Sequence, residues 1–246
     1  MQTAMLLEEP FQASNPTLDN WIEDGIRHHQ EGRLRDARAA YEAVLAASPD
    51  NPTILSLLGL TLHQSGDSSG GIALMRRAVS LAPDAAALRD HLGLALDGLG
   101  QAEAAMEAHA TAVILDQNYA PGWYNLGMLL LRADRDAEAL RCFAKALDLD
   151  SQSPIYRTGL GRVLTKLGHL PEAAEALRLA LLVDPGFIDA YEVLAKLWLR
   201  LRDEEAAQEA NDAARGLREG AELVPFALAR TIIERIEGAF VPLAHH

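Results

Sequence analysis

The chain has 246 residues, 49% hydrophobic and 23% charged, a balance that supports a buried core and excludes a disordered polymer. A formal charge of −13 opposes contact with nucleic-acid phosphates, and 43 alanines beside only 5% aromatics favour an all-α chain of closely packed helices. One cysteine, Cys142, excludes an internal disulfide and is compatible with a reducing cytoplasm.

The first seventeen residues, with Pro10, Asn15 and Pro16, read as an arm. Met1 to Glu9 lacks a basic segment and turns acidic after Leu6 and Leu7, which argues against a secretory signal and for a cytoplasmic location. No apolar stretch approaches the roughly 18 residues that a membrane helix needs.

From residue 18 onward the chain repeats every 34 residues. Gly25, Gly59, Gly93, Gly127, Gly161 and Ala195 form one ladder at that step. Ala37, Gly71, Ala105, Ala139, Ala173 and Ala207 form a second, and Val44, Ala78, Ala112, Ala146, Ala180 and Ala214 a third. Small residues at fixed places let two helices approach closely. In the fourth unit, Trp123, Leu126 and Leu130, then Leu140, Phe143 and Leu147, predict two amphipathic helices with a turn at Asp134-Arg135-Asp136. Gly32, Gly66, Gly100 and Gly168 mark the turn elsewhere, and Pro49, Pro83 and Pro185 close second helices.

Trp123, Leu126-Gly127, Leu130, Ala139, Phe143 and Ala146 resemble the tetratricopeptide repeat, as do Trp21, Gly25, Ala37, Tyr41, Leu45 and Pro49. The resemblance implies a right-handed α-α superhelix of six units at 18–51, 52–85, 86–119, 120–153, 154–187 and 188–221. The sixth departs from the pattern, with Ala195, Arg202, Asn211, Arg215 and Glu219, as terminal repeats do. Residues 222–246, with Leu223, Phe226, Leu228, Ile232, Ile233 and Ile236 at helical spacing, are expected to supply a helix capping the last repeat; the alternative is a dimer contact or a lead into a further domain. His245 and His246 enter no chemical argument.

No nucleophile, phosphate-loop or metalloprotease motif is present, so neither catalysis nor a cofactor is expected. Asp67-Ser68-Ser69-Gly70-Gly71 lacks the lysine of a phosphate loop, and Glu204-Glu205 reads as solvated helix surface. His29 and His63 are one repeat apart, at roughly 10 Å too far to share a metal ion. Cys142 reads as a packed thiol, and Trp21, Trp123 and Trp198 as core.

The family's first helices line a concave groove, and its five groove-facing offsets select this chain's candidate peptide-binding residues. Leu60, Leu94, Tyr124, Met128 and Leu131 give an adaptable apolar middle, with His63 beside Leu60. Arg132, Arg162, Lys166, Lys196 and Arg200 give a basic end suited to a carboxylate or acidic peptide segment, unless neighbouring acids such as Asp189 and Glu192 neutralise it. The chaperone-tail carboxylate clamp and the asparagine ladder of O-linked N-acetylglucosamine transferases are absent. The resemblance thus implies a non-catalytic adaptor that binds a peptide or protein segment. Alternatives are the repeat domain of a larger bacterial glycosyltransferase, methyltransferase or sulfotransferase, and a structural self-assembler joined through its termini. Alanine, arginine and aspartate usage points to a GC-rich bacterial origin.

Overall fold

A computed structural model describes residues 18–220 and 225–240. They form thirteen α-helices and no strand, so the all-α expectation holds. The chain divides after Pro83 into two compact units.

The first unit holds α1 (Leu18–Gln30), α2 (Leu34–Ala47), α3 (Pro52–Gln64) and α4 (Ser68–Leu81). Side chains cap the starts of α3 and α4. The Asn51 side chain accepts from the Ile54 amide ahead of Pro52, and that of Asp67 accepts from the Gly70 amide at 2.9 Å. α2 and α4 stop at Ala47 and Leu81, just before Pro49 and Pro83. Helices α3 and α4 run antiparallel. His63 Nδ1 lies 2.9 Å from Ser68 Oγ near the turn, while Gly59 and Gly71 bring their backbones together further along. A β-carbon on Gly71 would stand 2.4 Å from the Gly59 carbonyl oxygen, which is why this position holds no side chain.

The second unit holds α5 (Ala86–Gly98), α6 (Ala102–Leu115), α7 (Ala120–Arg132), α8 (Asp136–Leu149), α9 (Pro154–Leu167), α10 (Leu170–Val183), α11 (Ile188–Arg200), α12 (Glu204–Arg218) and α13 (Pro225–Phe240). From α5 to α12 the helices pair in sequence, and each pair's first helix packs on the next pair's first helix. The ladders now have a physical meaning. Gly93 faces the His109 ring, Gly127 faces Phe143 and Gly161 faces Leu177, each glycine leaving room for one large side chain of the second helix. Ala105, Ala139 and Ala173, like Ala112, Ala146 and Ala180, are wholly buried between helices. The turn needs a left-handed residue, which Gly100 and Gly168 supply; Asp134 (φ 57°) and Arg202 (φ 61°) adopt it where the sequence has no glycine.

The terminal helix α13 lies against the second helices. Ile232 and Ile236 are 2% and 3% exposed, so it does bury an apolar stripe. It packs chiefly on α10 and α12, two second helices, rather than following the path that the first helix of another repeat takes. Arg235 fixes this seat through Glu209, at 2.6 Å, with Asp203 and Glu205 close by. The side chains of Phe226 and Leu228, together with Leu223, the arm of residues 1–17 and the terminal histidines, lie outside the described residues.

Candidate functional site

In the second unit α5, α7, α9 and α11 pack side by side, and four equivalent side chains, one per helix, run across them: Leu94, Met128, Arg162 and Lys196. Leu94 is 41% exposed and Lys196 is exposed, while Met128 and Arg162 are half-buried. The stripe therefore passes from apolar to basic within one face. Beside it the Tyr124 ring is tilted against Phe143 and Tyr156, with centroids 5.8 and 5.6 Å away. Burial pushes the Tyr124 phenol above its ordinary pKa, while Arg162 pulls it down and Asp189 pushes it up.

Leu131 is a correction: it is 8% exposed and packs in the core with Leu130, Phe143 and Val163 instead of lining the face. The basic end is a second correction, because its five cations do not form one cluster. Lys166 donates to Asp134 (2.6 Å), Asp136 (2.7 Å) and the Leu131 carbonyl (3.1 Å). Arg200 donates to the Lys166 carbonyl at 3.1 Å, and Arg132 pairs with Asp97. The last carbonyls of a helix lack intrahelical partners, so a cation at the end of one first helix caps the end of its predecessor. Lys166 in turn holds the Asp134 carboxyl below the usual carboxylate range, mainly by its hydrogen bond.

Two cations remain outside this capping pattern. Lys196 has neither an ion pair nor a hydrogen bond among the described residues. Arg162 Nε is buried without a hydrogen-bond partner, and so is Oγ1 of Thr158, one turn earlier on α9 and 2% exposed. Of the neighbouring acids, Glu192 is paired with Arg218 and Asp189 is exposed. Arg162 Nε and Thr158 Oγ1 thus lie buried with no acceptor among the described residues, on the same face as a lysine without a counter-ion there.

A buried polar centre was not anticipated from the sequence. Asp90, 2% exposed, accepts from Asn125 Nδ2 at 3.1 Å and from the Tyr119 hydroxyl at 3.2 Å, and its Oδ1 lies 2.6 Å from His109 Nδ1. Burial, then the Asp90 charge, push the Tyr119 phenol far above its ordinary pKa. The available signal was His109 itself, a polar ring where Tyr41 and Phe143 stand in other repeats.

In the first unit, Leu60 and His63 are half-buried. His29 Nε2 lies 2.9 Å from Gln64 Oε1, and its Nδ1 lies 3.3 Å from Thr61 Oγ1. Among the described residues no three His, Cys, Asp or Glu side chains gather in a way that could hold a metal ion. Nor is any described helix long and apolar enough to cross a membrane.

Solved structures place this fold among known ones. PilF of Pseudomonas aeruginosa is 17% identical, with a TM-score of 0.67 over 87% of this chain and 96% of that one. The type IV pilus biogenesis factor PilW is 18% identical, with a TM-score of 0.69 over 89% and 100%. YrrB, a tetratricopeptide protein with an unusual peptide-binding site, is 19% identical, with a TM-score of 0.55 over 79% and 98%. No curated protein matches the sequence. The family model described as the cilia and flagella-associated protein 70 C-terminal domain matches residues 3–225. With its helical pairs and small-residue ladders, the chain therefore belongs to this family of tetratricopeptide-repeat domains.

Proposed function

We propose that the chain is a non-catalytic interaction adaptor, whose first-helix face in the second unit binds an extended segment of a partner protein. The segment lays apolar side chains against Leu94, Met128 and Tyr124 and directs a carboxylate towards Arg162 and Lys196. The observation that carries this reading is the exposed Lys196 ammonium, without a counter-ion among the described residues, one repeat on from the equivalent Arg162. An acidic side chain or a chain-terminal carboxylate supplies the missing counter-charge. The peptide-binding site of YrrB, on the same kind of fold, supports the reading.

Capture from native extract with the unaltered chain and with an Arg162→Glu, Lys196→Glu variant tests it. A partner held by the first and lost by the second is the expected result. Equal retention by both chains moves binding off this face.

A further inference from the structure

The second helices present another surface. A cleft of about 440 Å³ opens between α6 and α8, floored by Trp123, Leu126 and Leu130 of α7 with Cys142 of α8. Arg135 and Arg141 stand on its α8 rim. The Trp123 indole is held in place by its Nε1–H, which donates to the Gln117 carbonyl at 3.0 Å.

The fold itself shows what fits such a cleft. Two repeats further along, the same four floor positions are Tyr191, Leu194, Trp198 and Ala210. There they form one buried cluster with Ile232 and Ile236 of α13. The α10–α12 seat of α13 is thus the repeat equivalent of the α6–α8 cleft. Its occupant is an amphipathic helix that inserts two isoleucines one turn apart.

The rims differ in sign at two equivalent positions. Asp203 and Glu209, which grip Arg235, stand where the α6–α8 cleft has Arg135 and Arg141. A second copy of α13 would therefore bring Arg235 against two arginines, and the cleft disfavours this chain's own helix. Arg135 is already held by Glu138 through two bonds of 2.7 Å, and Glu107 borders the α6 side, so an incoming carboxylate meets the exposed Arg141 first.

We propose that the α6–α8 cleft is a docking seat for an amphipathic helix of a partner protein. Two aliphatic side chains one turn apart cover Trp123, Leu126 and Leu130, and an Asp or Glu immediately before the second meets Arg141 and Arg135. This surface is separate from the first-helix face, and either assignment can fail without the other.

The probe is a fluorescent peptide of residues 225–240, in its native form and as Arg235→Glu, titrated by anisotropy against the full chain. Arg235→Glu is also repelled from the occupied seat by Asp203, Glu205 and Glu209, which keeps the two sites distinct. The unaltered chain is expected to bind the Arg235→Glu peptide about fivefold more tightly than the native one. An Arg135→Glu, Arg141→Glu chain reverses that preference, and Ala110→Phe, which fills the cleft, abolishes binding to a chain whose circular dichroism is unchanged. No binding of either peptide up to about 1 mM overturns the proposal. So does a preference that the rim reversal leaves intact. Tighter binding of the native peptide to the unaltered chain overturns it in favour of self-association.

Discussion

His109 Nδ1 and Asp90 Oδ1 stand 2.6 Å apart, with both side chains almost wholly buried, where the first and fourth repeats pack Tyr41 or Phe143 against glycine. Replacing His109 with Phe imitates α8, yet it removes a partner from a buried carboxylate. We expect His109→Phe to cost about 1–3 kcal/mol in urea denaturation, despite its better match to the repeat pattern. Combining it with Asp90→Asn should cost less than the sum of the two single changes. A His109→Phe chain more stable than the parent would show that the pair adds nothing to stability.

Gly59 and Gly71 meet backbone to backbone. Gly71→Ala places its β-carbon 2.4 Å from the Gly59 oxygen, so α3 and α4 must separate. A loss of about 2–4 kcal/mol is expected. Gly32→Ala meets no neighbouring atom and pays only for its positive φ, about 1 kcal/mol. Thermal melts of the two variants should therefore differ clearly, and equal melting points would refute the close-approach explanation.

Burial raises the Tyr41 and Tyr191 phenols to about 12 and the Cys142 thiol to about 11. All three lose a proton on ionising, and each folded value lies above its ordinary one of 10.0 or 9.0. The folded state therefore holds protons that the unfolded chain releases first. This stability is fully present below about pH 9 and declines as the pH rises towards 12. Tyr41→Phe should flatten part of that decline in a series of urea midpoints; an unchanged slope would count against burial as its cause.

Lys166 and Lys196 occur on adjacent first helices but differ in duty. Lys166 joins α9 to the end of α7, to Asp134 in the turn and to Asp136 at the start of α8. We expect Lys166→Ala to lower the urea midpoint, and Lys196→Ala to leave it unchanged while weakening capture of an acidic partner. A neutral Lys166→Ala would show that its three contacts contribute nothing to stability.

The helical pairs were legible in the sequence because the 34-residue ladders encode where two backbones touch. Gly127 and Phe143 illustrate it: the small residue and the ring are both visible in the chain, and their contact follows from the repeat. Turns were legible too, even where Asp134 replaces glycine. The five cations were visible as residues, but not as two groups. Whether a cation faces solvent or caps a carbonyl depends on the end of the neighbouring helix, which lies about one repeat away in sequence.

By itself, then, the sequence determined the repeat, the helices, their small-residue seams and the terminal apolar stripe, because each is a local pattern of side-chain size and polarity. Only the tertiary structure decided that Leu131 turns inward, that Asp90 finds His109, and that α13 lies on α10 and α12. Those outcomes depend on which surfaces meet once the helices stack, and periodicity alone carries no record of that.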